Sequence, residues 1–284
     1  KGRKKLVYTG DLGREKLPIL NDPVIVGEAD YLVIESTYGD RKHEGISELE
    51  RDLQSIITRT IKRGGKVFVP AFALERTQEV ILRLEELMHE GKIPRLQIYV
   101  DSPLAQKITK IFEDHPEYYD LELKSKLKKR RNIFSFDNLN FTESVEDSKR
   151  LNSLAFPGII IAGSGMMENG RIRHHIKNNI EDPKNTFLIV GYQARETLGR
   201  NLMEGRKVVR VFGQDLRVNA EIVALKSLSA HADMHDLDQY VKKMKGLKKI
   251  FLVHGEESSR QVFAKRLSRI VKGAEIILPK FGES

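Results

Sequence analysis

The stretch KVFVPAF, residues 66–72, is an apolar run of strand length set between a glycine pair and a helical pattern, and its surroundings decide the fold. Upstream, from Ile46, apolar residues at Leu49, Leu53, Ile56, Ile57 and Ile61 recur at helical spacing until Gly64 and Gly65 stop the run. Downstream, a second helix is expected from about Glu75, with Val80, Ile81, Leu84, Leu87 and Met88 on one face and Gly91 as its stop. LQIYVDSP (96–103) is the next strand. GIIIAGSG (158–165), a helix through His174 and His175, and FLIVGYQ (187–193) continue the alternation. Strands that alternate with helices in this way form a parallel, helix-covered sheet, so the fold class is α/β.

On either side of this layer the pattern changes. KLVYT (5–9) and DYLVIES (30–36) are short β-rich runs bounded by turn residues, and KVVRVFG (207–213) and VNAEIVAL (218–225) have no helix between them. After SLSAHAD (227–233) a helix is expected near Met234 with Leu237, Tyr240, Val241 and Met244 inward, then strand KIFLV, a last helix and strand AEIIL. This closing α/β unit reads as the return of a fold begun at residues 5–36, which gives a division into residues 1–41, 42–222 and 223–284. Lys5 to Tyr8 is a buried-type strand without a preceding partner, so the chain is expected to be a fragment or a processed product.

Composition limits the function classes. The chain has 284 residues, of which 40% are apolar and 31% charged, enough for one good core or two. No apolar run approaches the length of a membrane span and the basic start leads into a strand, so a soluble, cytoplasmic protein is expected, with no membrane partner. Without cysteine there is no disulfide framework and no thiolate metal site, and any zinc must rest on histidine and carboxylate. A net charge of +9 favours a polyanionic partner such as nucleic acid.

Four residues carry candidate chemistry. Asp11 ends LVYTGD and is read as a turn residue or a ligand. Glu35 is a carboxylate at the end of an apolar strand, where a partner is required. His231 stands in a Ser-Ala-His-Ala-Asp turn in which Asp233 could serve only as a helix N-cap. His254 ends a strand, and strand ends of α/β sheets are where sites gather.

Together LVYTGD, VIESTYGD (33–40), SLSAHAD and FLVHGE (251–256) resemble, in order, the motifs of the β-CASP family of metallo-β-lactamase-fold nucleases. PAFALERTQE (70–79), DSPLA (101–105), GSGMMENGR (163–171) and GYQARETLGR (191–200) extend the resemblance over essentially the whole chain. It implies a partial metallo-β-lactamase fold (αββα) interrupted by an α/β β-CASP domain with a mainly parallel sheet. Glu35 and His254 at their motif positions are similar to the RNA-processing branch. By resemblance Asp11 and His254 are zinc ligands, His231 is the general acid that protonates the leaving ribose oxygen, and Glu35 holds the imidazole and favours its charged form. The implied cofactor is a pair of Zn2+ ions that activate water for attack on phosphorus, and the implied partner is RNA, with a homodimer as the family's common assembly.

The run His-x-His-x-Asp-His that accompanies such a set does not occur in this sequence, so the chain alone is expected to hold no tight dinuclear zinc site and to leave RNA intact. Gly163, Ser164 and Gly165, between a strand and a helix, could cradle an RNA phosphate within reach of Arg171; glycine needed only for a tight turn is the alternative. Arg76, Arg195 and Arg200 invite the same two readings, whereas His174 and His175 are expected on a helix surface or in packing. KSKLKKRR (124–131) is read as a solvated helix face, with an RNA-backbone contact at Lys128, Lys129 and Arg130 as the sharper reading. Tyr118, Tyr119, Phe134 and Phe136 nearby are expected in the core rather than stacked on bases. The leading function is a zinc-dependent RNA hydrolase; the alternatives are a catalytically silent RNA-binding scaffold and a small-molecule hydrolase.

Overall fold

The structure is a computed structural model that describes residues 2–43, 46–129, 132–154, 157–225, 229–280 and 282. In chain order the elements begin with β1 (Leu6–Tyr8), β2 (Tyr31–Glu35), α1 (Ile46–Lys62), β3 (Val67–Pro70), α2 (Arg76–His89), β4 (Ile98–Asp101) and α3 (Pro103–Asp114). They continue with α4 (Leu121–Lys129), β5 (Leu139–Phe141), α5 (Val145–Asn152), β6 (Ile159–Ala162), α6 (Ile172–Asn179), β7 (Thr186–Ile189) and α7 (Leu198–Met203). The last are β8 (Val208–Val211), β9 (Gln214–Arg217), β10 (Glu221–Ala224), α8 (Met234–Lys242), β11 (Lys249–Val253), α9 (Glu257–Ile270) and β12 (Glu275–Ile277). None of the helices is long and apolar enough to cross a membrane, among the described residues.

The chain divides into two compact units, one made of Lys1–His43 with Ala230–Ser284 and the other of Glu44–Ser229. The inserted unit is built on a parallel sheet in the order β10-β7-β3-β6-β4-β5. Its central strand β3 is buried at every position, as a strand covered on both faces must be. Phe68 of β3 stacks on Phe187 of β7 with ring centroids 4.8 Å apart, and Ile160, Ile176, Ile180 and Leu202 pack around them. A division after residue 222 would cut β10, which pairs with β7 from Glu221 to Ala224, so the inserted unit keeps that strand and ends beyond it.

Several starts follow from local chemistry. In DSPLA, Asp101 ends β4, Ser102 caps α3 by accepting from the Ala105 N–H at 3.2 Å, and Pro103 occupies the first turn, where its missing N–H costs nothing. The basic run lies on α4: Lys126 binds Glu86 and Glu122, Lys124 donates to the Glu117 carbonyl, and Lys128 is exposed. The Lys129 side chain, Arg130 and Arg131 lie outside the described residues. Tyr119 and Phe134 are buried, while Tyr118 is 63% exposed and Phe136 half-buried.

The other unit has the parallel sheet β1-β2-β11-β12. Leu32 and Ile34 of β2 and Ile250 and Leu252 of β11 alternate inward onto Leu237, Val241, Phe263 and Leu267. In β2 and β11 the register sets Glu35 opposite Val253, so the strands end together.

Gly65 tests the packing of the inserted unit. A Cβ there would stand 1.7 Å from the Lys184 carbonyl oxygen, a contact between two stretches of backbone that neither can leave cheaply. Gly65→Ala is expected to lower unfolding free energy by about 3 kcal/mol, at the upper end of overpacking costs. Urea denaturation followed by circular dichroism checks it; an unchanged midpoint would contradict the close approach.

Candidate active site

The candidate residues gather at the carboxyl ends of adjacent parallel strands. Asp11 follows β1, Glu35 closes β2 and His254 follows β11, an edge of the sheet where α/β proteins place their sites. His231 arrives from the returning segment, which lies antiparallel to residues 12–14 through Ala232 N–H to the Leu12 carbonyl at 2.7 Å and Arg14 N–H to the Ala230 carbonyl at 3.2 Å. Behind it, Asp233 caps α8 and its partner Asp236 completes a capping box. Burial pushes the Asp233 carboxyl up, yet the N–H groups of His43, Asp236 and His235 outweigh it and hold the group below the usual carboxylate range.

Glu35 is the buried anchor of the set. Only 1% exposed, its carboxylate accepts the Leu12 N–H at 2.5 Å and the His231 Nδ1–H at 2.9 Å. A carboxylate can only accept, so the Nδ1 proton is fixed and Nε2 is the nitrogen through which the ring can meet a metal or a leaving oxygen. Asp11, His231 and His254 each present a donor atom, all within 4.8 Å of one another. His254 Nε2 stands 3.6 Å from Asp11 Oδ1, and the two histidine rings are 5.7 Å apart between centroids. His254 has φ 48°, a left-handed backbone unusual for a residue with a Cβ, and its carbonyl accepts from Ser36 N–H and Thr37 Oγ1. Gly255 beside it lies so close to Ser36 that a Cβ would stand 2.6 Å from the Ser36 carbonyl oxygen, which restricts this turn to glycine.

One carboxylate and two imidazoles are hard-to-borderline N/O donors that suit a divalent metal such as zinc. The carboxylate behind His231 is the kind of partner that orients a metal-binding or proton-donating imidazole. Three donors are fewer than two four-coordinate ions need.

The remaining candidates lie in the inserted unit, and several are spent on structure. The loop at Gly163, Ser164 and Gly165 folds back on itself: Ser164 N–H donates to the Asn169 carbonyl at 3.1 Å, Met167 N–H to Ser164, and Gln193 Nε2 to the Gly165 carbonyl. Gly165 is needed for close approach, since a Cβ would stand 2.7 Å from the Phe72 ring. Arg171 does not point an open guanidinium at this loop. It binds Asp101 Oδ1 at 2.7 Å and the carbonyls of Thr142 and Glu143. Arg76 is likewise withdrawn, 5% exposed and paired with Glu79. Arg200 is paired with Glu204 at 2.6 Å, whereas Arg195 is exposed.

Sequence reasoning missed what Asp101 does. This fully buried carboxylate accepts from His175 Nε2 at 2.7 Å, Ser148 Oγ at 2.6 Å, Thr142 Oγ1 and Arg171. His175 is correspondingly buried, whereas its neighbour His174 is exposed. The signal was present, because Ile172, His175, Ile176 and Asn179 share one face at helical spacing and that face is buried.

Comparisons with known proteins agree with this architecture. Residues 77–202 match the Beta-Casp domain and residues 215–279 match the Zn-dependent metallo-hydrolase RNA specificity domain. The chain belongs to the β-CASP family of metallo-β-lactamase-fold proteins. It is 36% identical over 99% of its length to a ribonuclease of Thermus thermophilus, of which it spans 63%. It is 34% identical over 95% of its length to an RNase J-like protein of Methanocaldococcus jannaschii, spanning 62% of that protein, and 33% identical over 91% to the transcription termination factor FttA of Methanosarcina mazei, spanning 42%.

The Asp101 network makes a pH prediction. Burial alone would raise this carboxyl, but the hydrogen bonds from His175, Ser148 and Thr142 prevail and bring it down to about 2 from 3.8. A depressed carboxyl stabilises the fold above its unfolded value and the contribution is lost as pH falls through the folded value, here between about 4 and 2. The loss is about 2 kcal/mol at about 1.4 kcal/mol per pH unit. Asp101→Asn is expected to remove this segment of the stability profile in urea melts at several pH values; an unaltered profile would contradict it.

Proposed function

We propose that this chain is a portion of a zinc-dependent ribonuclease that hydrolyses RNA phosphodiester bonds, supplying the general acid and part of the metal site. The observation that carries this reading is the convergence of Asp11, His231 and His254 donor atoms within 4.8 Å, with a buried Glu35 bonded to the back of His231. The names of the relatives, ribonuclease and RNase J-like protein, point to the same substrate class.

Asp11 and His254 would hold the metal, their side chains 71% and 59% exposed and therefore open to an ion from solvent. When bound, zinc supplies a Lewis acid for water and for the phosphoryl oxygens. His231 gives its Nε2 proton to the departing ribose oxygen, and Glu35 keeps the ring turned for that transfer by holding Nδ1–H. Leu12 N–H shares the Glu35 carboxylate and so fixes the anchor itself. In the inserted unit, the exposed Arg195 is the phosphate contact this reading favours, while the loop at Gly163, Ser164 and Gly165, closed by its own hydrogen bonds, acts with Arg171 and Arg76 as a support.

In the full-length protein with zinc, His231→Ala is expected to lower kcat for RNA cleavage by about 10²- to 10⁴-fold, the range for removal of a general acid. Glu35→Gln is expected to lower it less, since the ring is misoriented rather than removed. RNA affinity measured separately should change little. Activity of His231→Ala within a few-fold of the parent would refute the role, and intact RNA in the parent, with binding retained, would return the chain to a catalytically silent scaffold.

A further inference from the structure

The inserted unit contains a solvent-open cavity of about 370 Å³ lined by Arg173, Arg206 and Arg210 together with Glu168, Glu196 and Asn201. None of these residues belongs to the Asp11, His231 and His254 cluster. Three guanidinium groups face two carboxylates, and one of those is engaged: Glu168 Oε1 accepts the Leu198 N–H at the start of α7.

Arg173 is the fixed element. Its Nη1 donates to the Glu168 carbonyl at 2.9 Å, its guanidinium lies 4.8 Å from the centroid of the Phe212 ring, and its Nε is buried without a hydrogen-bond partner among the described residues. Neither Arg173 nor Arg206 forms an ion pair among the described residues. For Arg210 the near carboxylate is Asp215 at 3.9 Å, with both side chains largely exposed. A guanidinium held in place by a carbonyl and an aromatic face, yet not neutralised, is arranged for an incoming anion, and its planar fork matches the oxygens of phosphate.

The positive charge also continues past the cavity. Lys207 adjoins Arg206 at the start of the β8/β9 hairpin, and exposed Arg217 pairs with Val208 across it. A free phosphate needs only the pocket, whereas a strand with a charge at every nucleotide gains from a continuing row. We propose that this cavity docks a backbone phosphate of single-stranded RNA, an anchoring site on the inserted unit apart from the metal-binding cluster. The assignment rests on the RNA reading above.

The test is fluorescence anisotropy of a labelled single-stranded RNA across a salt series, with the parent chain, the Arg206→Gln/Arg210→Gln variant and a Lys265→Gln/Lys272→Gln control that removes the same charge elsewhere. Arg206 and Arg210 line an open cavity and Lys265 and Lys272 stand on the outer surface of the other unit, so both variants should keep the fold. The arginine variant is expected to bind about tenfold more weakly, with a salt slope shallower by about 0.7 for each phosphate it no longer neutralises, while the control stays close to the parent. RNA binding equal in all three proteins, or weakened equally in both variants, would overturn the site and leave the RNA reading standing. No RNA binding by the parent would remove both. Calorimetric binding of inorganic phosphate that depends on Arg206 and Arg210, with RNA affinity unmoved by their replacement, would assign the cavity to a free anion and overturn RNA docking.

Discussion

A carboxylate that is 1% exposed must find donors or be expelled, and Glu35 finds two: the Leu12 amide and the His231 imidazole, which lies 196 residues further along the chain. The rest of the first unit is organised around that requirement. The loop after β1, the end of β2 and the returning segment are fastened at one point, and Ala232 N–H to Leu12 and Met234 N–H to Arg41 hold the same junction by backbone. A unit of residues 44–229 can interrupt the chain there because departure and return are stitched together: His43 N–H donates to Asp233 Oδ2 at 3.1 Å.

The same chemical pair occurs twice with different consequences. Glu35 with His231 and Asp101 with His175 are both carboxylate–imidazole pairs at strand ends, 2.9 and 2.7 Å long. Exposure separates them. His175 is wholly buried and shares Asp101 with Ser148, Thr142 and Arg171, so its hydrogen bonds are spent inside the unit. His231 is 23% exposed and stands beside Asp11 and His254, where a ligand can arrive. A histidine bonded to a carboxylate is therefore a candidate site where it is reached by solvent beside further donor groups, and a structural residue where it is sealed.

Much of this was legible in the sequence because it depends on short-range pattern. The apolar runs at 66–72 and 158–165 hold strands β3 and β6, the helix after Ile46 follows its leucine and isoleucine spacing, and Glu35 ends β2, His254 follows β11 and His231 precedes α8, with Asp11 in the loop after β1. Side-chain pairing over long separations was less legible. Nothing local says that Arg171 reaches Asp101, 70 residues away; the Arg76–Glu79 pair is readable from its i,i+3 spacing, but the burial of that helix face is not. His174 and His175 stand between the two cases: adjacent histidines leave surface and packing both open, and only the helical phase that sets His175 with Ile172 and Ile176 sends it inward.

Glu35 fixes the proton on His231 Nδ1, and long-range 1H–15N correlation of the metal-free chain's imidazoles reads that proton directly. A proton on Nδ1 of His231 that is lost or scrambled in Glu35→Gln is the predicted result. A His231 signal showing the Nε2–H tautomer in the parent, or one indifferent to Glu35→Gln, would contradict this role for the buried carboxylate.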